Sequence, residues 1–211
     1  AKRIPTILPA LTPKESMEVS KIYSVSGMLH EKEALVVRRP FCNPHHTISE
    51  QALVGGGRIP RPGIISLAHR GVLFMDEAVH FSSHALEALR QPIEDKKVQI
   101  ARTYGTYVYP ADFMLVAAMN PCPCGYYGEG DRCTCTPGMR LSYLSKLSGP
   151  LMDRIDIQLI MRPIDPKKLV NRRAAESTAE VAARVYGARQ KQKERFEEDG
   201  IFCNAAMNNR L

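Results

Sequence analysis

The chain has 211 residues, 44% of them hydrophobic, with 29 Lys and Arg against 22 Asp and Glu, a formal net charge of +7 and a pI near 9.2. That hydrophobic fraction is ample for a core in one large domain, or in one domain and part of another. No run approaches the ~18 apolar residues of a membrane span and no charged-then-apolar leader opens the chain, so a cytoplasmic protein without a membrane role is the expectation. The chain opens on Ala1-Lys2-Arg3 without a methionine, as an excised piece would. The basic balance asks for a polyanionic partner, and ATP, nucleic acid or an acidic subunit would each satisfy it.

The first 30 residues read as helical. Ile4, Ile7 and Leu8 share a face that Pro5 and Pro9 interrupt, Thr12-Pro13-Lys14-Glu15 has the form of a capping box, and Gly27 is a natural end. A short strand at Val36-Val37 then runs into a proline-punctuated loop carrying His45 and His46. Adjacent histidines diverge on a strand and no acid or cysteine stands at ligand spacing, so structural or phosphate-side roles rank above metal binding for this pair. Gly55-Gly56-Gly57 is followed by Arg58-Ile59-Pro60 rather than by a lysine and a hydroxyl residue, which favours a hairpin or insertion over a phosphate loop.

Gly71-Val72-Leu73-Phe74-Met75-Asp76-Glu77 is the centre of the chain. Four apolar residues are too few for a free-standing helix and suit a strand buried on both faces of a parallel sheet. Ligands of such sheets sit at the carboxyl ends of strands, where Asp76 and Glu77 stand. Phosphoryl transfer wants this pair: one acid holds magnesium and its neighbour orients or deprotonates a water. An acidic turn after an ordinary strand is the competing reading.

Ser82 to Pro92 is expected to be one short helix ending at the proline. Val98 to Tyr109 alternates around Gly105 and reads as a β-hairpin whose tip, with Arg102 and Tyr104, would either touch nucleic acid or form a solvated edge. Phe113 to Met119 is a second apolar strand, ended by Asn120-Pro121, and an amide there can reach an attacking water or a terminal phosphate. Cys122, Cys124, Cys133 and Cys135 then form two C-x-C pairs. Structural zinc, reduced thiols and disulfides all stay open for them, the spacing inside each pair being shorter than usual for zinc. Gly149 to Ile157 places Arg154 between Asp153 and Asp156 ahead of another expected strand. From about Asp165 to Glu198 the chain turns helical and charged, with Ala182, Val185, Ala188 or Arg189, and Gln192 on one stripe.

The strings RPFCNPHHTISEQALVGGG, PGIISLAHRGVLFMDEA, ALEALRQPIEDKKVQIAR, AAMNPCPCGYYGEGDRCTC and SGPLMDRIDI, in this order across residues 38 to 160, resemble the magnesium-chelatase-like AAA+ ATPases, and among them the competence-protein ComM (YifB) group. The resemblance implies an α/β fold: an AAA+ P-loop-type αβα core lacking its P-loop over residues 1–162, with hairpin insertions, then the start of a helical lid over 163–211. It assigns Asp76 and Glu77 to Walker B, binding Mg2+ and ATP, Asn120 to sensor 1, and Arg154 to an arginine finger acting on a neighbouring subunit. It also implies a homo-oligomeric, hexameric ring, and matches the Arg102 to Thr106 hairpin to a pre-sensor-1 element directed at DNA. For the ComM group the implied role is a DNA motor in branch migration. A chelatase-type subunit without DNA, and a zinc-stabilised module without activity, are the alternatives. Ala78-Val79-His80-Phe81 departs from the leucine-proline-glutamate-phenylalanine usual after Walker B, and the P-loop and sensor 2 of the family have no counterpart here.

Overall fold

A computed structural model of the chain describes residues 1–29, 34–161, 176–198, 201 and 203–207. Two compact units are present, one made of Ala1–Pro5 and Ala10–Arg154, the other of Thr6–Pro9 and Ile155–Leu211.

A short helix α1 spans Ile4–Ile7 and is followed by α2, Pro13–Ser26. The capping box forms as its sequence requires: the Glu15 N–H donates to Thr12 Oγ1 at 3.2 Å and the Thr12 N–H to Glu15 Oε2 at 2.9 Å. Gly27 closes α2 in the left-handed region, φ 76°.

The sheet that organises the first unit is parallel, in the order β1–β4–β7. Strand β1 is Phe41–Cys42, β4 is Val72–Met75 and β7 is Met114–Ala117. Between β1 and β4 lie α3 (Glu50–Val54), the paired β2 (Gly55–Gly56) and β3 (Arg61–Pro62), and α4 (Ile64–Leu67). The glycine triplet is therefore a hairpin, as its exit residues imply. Between β4 and β7 lie α5 (Ser83–Glu87), α6 (Arg90–Asp95) and a long hairpin of β5 (Lys97–Arg102) and β6 (Gly105–Pro110). Val72, Leu73 and Met75 of the central strand are at most 1% exposed, and Leu53, Ile65, Leu86, Leu89, Val98 and Ile100 join them in one core.

Three sequence expectations are corrected here. The first strand is not Val36-Val37 but Phe41–Cys42, because α2 captures the Val36 backbone: Ser16 Oγ donates to the Val36 carbonyl at 2.7 Å and the Val36 N–H donates to Ser20 Oγ at 2.8 Å. The helix expected over Ser82 to Pro92 is two. Pro92 sits inside α6 rather than ending a helix, in a first turn where its missing N–H costs nothing. The strand expected after Arg154 does not form: among the described residues no backbone pairs with residues 155–161, and Ile157 is 74% exposed.

Gly71 is demanded by a close approach. A Cβ there would overlap the Pro40 carbonyl, which accepts the Val72 N–H at 2.9 Å and sets the start of β4 beside β1.

Two more helices close the first unit, α7 (Pro137–Leu144) and α8 (Gly149–Met152). In the second unit α9 spans Thr178–Arg195 behind a Ser177/Glu180 capping box. Ala182, Val185, Arg189 and Gln192 are half-buried along one stripe and Ala188 is exposed, which decides between the two residues that the sequence left open. The earlier part of the charged helix expected from about Asp165, up to residue 175, and residues 202 and 208–211 lie outside the described residues. No helix among the described residues is long and apolar enough to cross a membrane.

Candidate functional site

The chain leaves the core at the carboxyl end of β4. Met75 is 1% exposed, and the next two residues, Asp76 and Glu77, are both exposed. Glu77 adopts φ 51°, ψ 48°, a left-handed conformation that costs a side-chain-bearing residue on the order of 1–2 kcal/mol. Backbone bonds hold it there: the Glu77 N–H donates to Asp76 Oδ1 at 3.1 Å, the Ala78 N–H to the Ala118 carbonyl at 2.9 Å, and the Ala118 N–H to the Met75 carbonyl at 2.9 Å. The turn lets Ala78 and Val79 bury at 1% while both carboxylates stay in solvent.

A cleft of about 210 Å3 opens on these acids, lined by Asn43, Pro44, His45, His46, Asp76 and Glu77. The loop after β1 supplies its other wall, so both walls come from carboxyl ends of neighbouring parallel strands, where such sheets bind ligands. His46 Nδ1 stands 3.9 Å from Glu77 Oε2. The rings of His45 and His46 are 4.1 Å apart, and His80 lies 5.9 Å from His46. Among the described residues no lysine or arginine forms an ion pair with Asp76 or Glu77, which leaves their oxygens available as the hard donors that magnesium takes. A larger cleft, about 330 Å3, between α3 and the β2–β3 hairpin contains no acid, and we place the candidate site at the smaller one.

Asn120 stands past β7 at the same end of the sheet and is exposed. Beside it is Tyr143 of α7, 6% exposed: burial pushes its phenol up, the Asn120 backbone offers it a hydrogen bond, and the charges of Cys122 and Glu77 act on it. Tyr143 also meets the ring of His80 edge-on at 6.3 Å.

Arg154 is engaged elsewhere. It forms an ion pair with Glu94 of α6 and donates to the Pro150 carbonyl, rather than pairing with Asp153 or Asp156 beside it in the chain. At the tip of the β5–β6 hairpin Tyr104 is 97% exposed, while Arg102 reaches back to the Ala101 carbonyl at 2.8 Å and the Gly57 carbonyl at 3.4 Å.

The four clustered cysteines converge. All their sulfurs lie within 4.8 Å of one another, with Cys122–Cys124 at 3.3 Å, Cys124–Cys133 at 3.7 Å and Cys122–Cys133 at 3.9 Å, and none is in a disulfide. A hydrogen bond from the Tyr126 backbone pulls the Cys124 thiol down to about 6. Against a backbone bond from Cys124, burial and the neighbouring thiols push Cys135 up to about 11. Crowded thiols thus resist ionising together, which is the situation that a bound cation reverses. The cluster can hold a metal ion.

Residues 1–169 match the family model described as magnesium chelatase, subunit ChlI. The chain belongs to this family. An uncharacterized protein of Mycobacterium tuberculosis is 45% identical over the whole chain and 42% of its own length. The uncharacterized protein YifB of Escherichia coli is 46% identical over 92% of the chain and 38% of its length, and competence protein ComM of Haemophilus influenzae is 40% identical over 97% and 40%. The chain spans about two fifths of the length of these relatives. Its parallel sheet and flanking helices are the α/β core expected of a magnesium-chelatase-like AAA+ protein of the ComM/YifB group.

In this family member, Asn43, His80 and Tyr143 join the site without having been singled out as site residues by sequence, while His46, for which the sequence ranked structural or phosphate-side roles above metal binding, lines the same cleft. The strand-end rule applied to Phe41–Cys42 as well as to Val72–Met75 would have found Asn43. Nothing local marks Tyr143.

Proposed function

We propose that the protein containing this chain is a ring-forming ATPase of the AAA+ class that moves on DNA. The observation that carries the reading is the pair Asp76 and Glu77, delivered by the central parallel strand to a cleft where, among the described residues, no lysine or arginine pairs with them. In this reading Asp76 holds the magnesium of Mg-ATP, which supplies charge neutralisation to the transferring phosphoryl group. Glu77 takes the proton of the attacking water, Asn120 orients that water or touches the terminal phosphate, and Arg154 serves the site of an adjacent subunit in a hexamer. Arg102 and Tyr104 contact DNA by phosphate pairing and stacking. Cys122, Cys124, Cys133 and Cys135 hold one structural zinc, four protein ligands leaving it no open position for catalysis.

The decisive experiment is hydrolysis by the full-length protein with and without Glu77→Gln, alongside DNA binding across a salt series. Turnover lost in the variant and affinity falling steeply with salt are the expected results. Turnover without salt-sensitive DNA binding would leave the ATPase and reject the motor.

A further inference from the structure

The cysteine loop begins two residues after Asn120. Cys122 is fully buried, whereas the rest of the loop from Pro121 to Thr136 is half-buried or exposed, so no set of apolar contacts fixes its course. Its turns rely on glycines in the left-handed region, Gly125, Gly128 and Gly130, and Gly125 bonds back to the Cys122 carbonyl at 3.0 Å. At the far end Thr136 Oγ1 accepts the Met139 N–H and starts α7, which carries Tyr143 back to the Asn120 backbone. The chain from Asn120 to Tyr143 is therefore a clip in which the four sulfurs converge, with Arg132 stacked on Tyr126 and Arg140 of α7 stacked on Tyr127 outside them.

A metal at 2.3 Å from each of four tetrahedral sulfurs places them about 3.8 Å apart, near the 3.7 and 3.9 Å of two pairs here, with Cys122–Cys124 at 3.3 Å and every pair within 4.8 Å. We infer that a thiophilic divalent metal bound by Cys122, Cys124, Cys133 and Cys135 is the fastener of this clip and thereby a positioning element for Asn120 at the carboxyl end of the sheet. The inference rests on the zinc and ATPase readings proposed above and adds that metal loss acts on turnover through Asn120. Bare thiols are weak hydrogen-bond partners and cannot replace four metal–sulfur bonds, so the loop and the Asn120 backbone would loosen together.

The test compares the reduced full-length protein as purified, after chelation, and after reloading with zinc or cadmium, by metal analysis and by hydrogen exchange of peptides covering residues 118–145 and 97–110. The expected result is one metal per chain, exchange on the order of tenfold faster over 118–145 after chelation with the 97–110 hairpin unchanged, and recovery on reloading. ATP turnover should fall on the order of 10²-fold with KM little moved, the signature of a mispositioned polar group. Because the same wild-type chain is stripped and reloaded, folding of a variant is not at issue. Absence of stoichiometric metal, or unchanged exchange over 118–145, overturns the inference and leaves the ATPase reading intact. Turnover unaffected by metal removal overturns it likewise. Metal-dependent exchange with no turnover in either state overturns the ATPase reading and the inference with it.

Discussion

His46 Nδ1 lies 3.9 Å from Glu77 Oε2, the one ion pair that Glu77 makes among the described residues. His46 comes from the loop after β1 and Glu77 from the end of β4, so the pair ties together two strand ends that the sheet sets side by side. In the mechanism proposed above Glu77 acts on water and must be aimed, and His46 is placed to aim it. His46→Ala in the full-length protein should lower ATP turnover about tenfold, less than the ~10²–10⁴-fold loss from Glu77→Gln, with little change in KM. Steady-state hydrolysis decides this, and full activity in His46→Ala would remove the residue from the mechanism.

Arg154 cannot serve a neighbouring subunit while it stays with Glu94 and the Pro150 carbonyl. On the role in trans proposed above, Arg154→Ala should bind ATP but hydrolyse it about 10³-fold more slowly or worse. Glu94→Gln removes the competing partner and should leave turnover equal or higher. Mixed rings of Arg154→Ala with Glu77→Gln should regain part of the activity, since each subunit supplies what its neighbour lacks. If Arg154→Ala hydrolyses normally, the arginine is a structural partner of Glu94 and no more.

At the opposite end of β4, His69 is held as one neutral tautomer. The Asp112 N–H donates to His69 Nδ1 at 3.0 Å, so the ring hydrogen is on Nε2, which faces Glu18 Oε2 at 3.3 Å. Burial, aided by the charge of Arg70, pushes this imidazole down, with Glu18 and Asp112 opposing. Burial raises the Glu18 carboxyl, yet the bonds and charges of Arg70 and His69 outweigh it and hold Glu18 below its ordinary range. A depressed histidine costs stability once pH falls below its unfolded value of about 6.5, because the unfolded chain then binds more protons. A depressed glutamate contributes stability that is complete above its unfolded value of about 4.3 and lost as pH falls through the lower folded value. Both signs agree. Thermal midpoints should be level from pH 8 to 7 and decline below about 6.5, and His69→Gln, although less stable overall, should lose the upper part of that decline. Parallel pH profiles for the two proteins would show that His69 does not control it.

For the hairpin, Tyr104 and Arg102 should separate in a salt titration of DNA binding. Tyr104→Ala removes an exposed stacking face and should weaken single-stranded DNA binding by about tenfold or more without altering the slope of log affinity against log salt. Arg102→Ala should reduce that slope by about one phosphate contact. Unchanged affinity in both variants would make the hairpin a solvated edge.

Much of the architecture was legible because it is written locally. Val72 to Met75 followed by two acids states a buried strand and its solvent-facing end within a few residues. Thr12 with Glu15, Gly27, and the alternation around Gly105 likewise carry their caps and turn with them. What remained hidden depended on partners distant in sequence. Val36 reads as strand and is taken by the serines of α2, and the stretch after Arg154 reads as strand although no neighbour among the described residues pairs with it.

The sequence by itself determined which residues could do chemistry at strand ends and in the cysteine loop, since residue type and spacing set donor atoms and strand limits. Only the tertiary structure decided that His46 faces Glu77, that Arg154 chooses Glu94 over its neighbouring aspartates, and that Tyr143 closes back on Asn120. Those pairings span 31, 60 and 23 positions in the numbering, and ion pairs and hydrogen bonds act over a few ångströms of space that only the packed sheet and helices bring about.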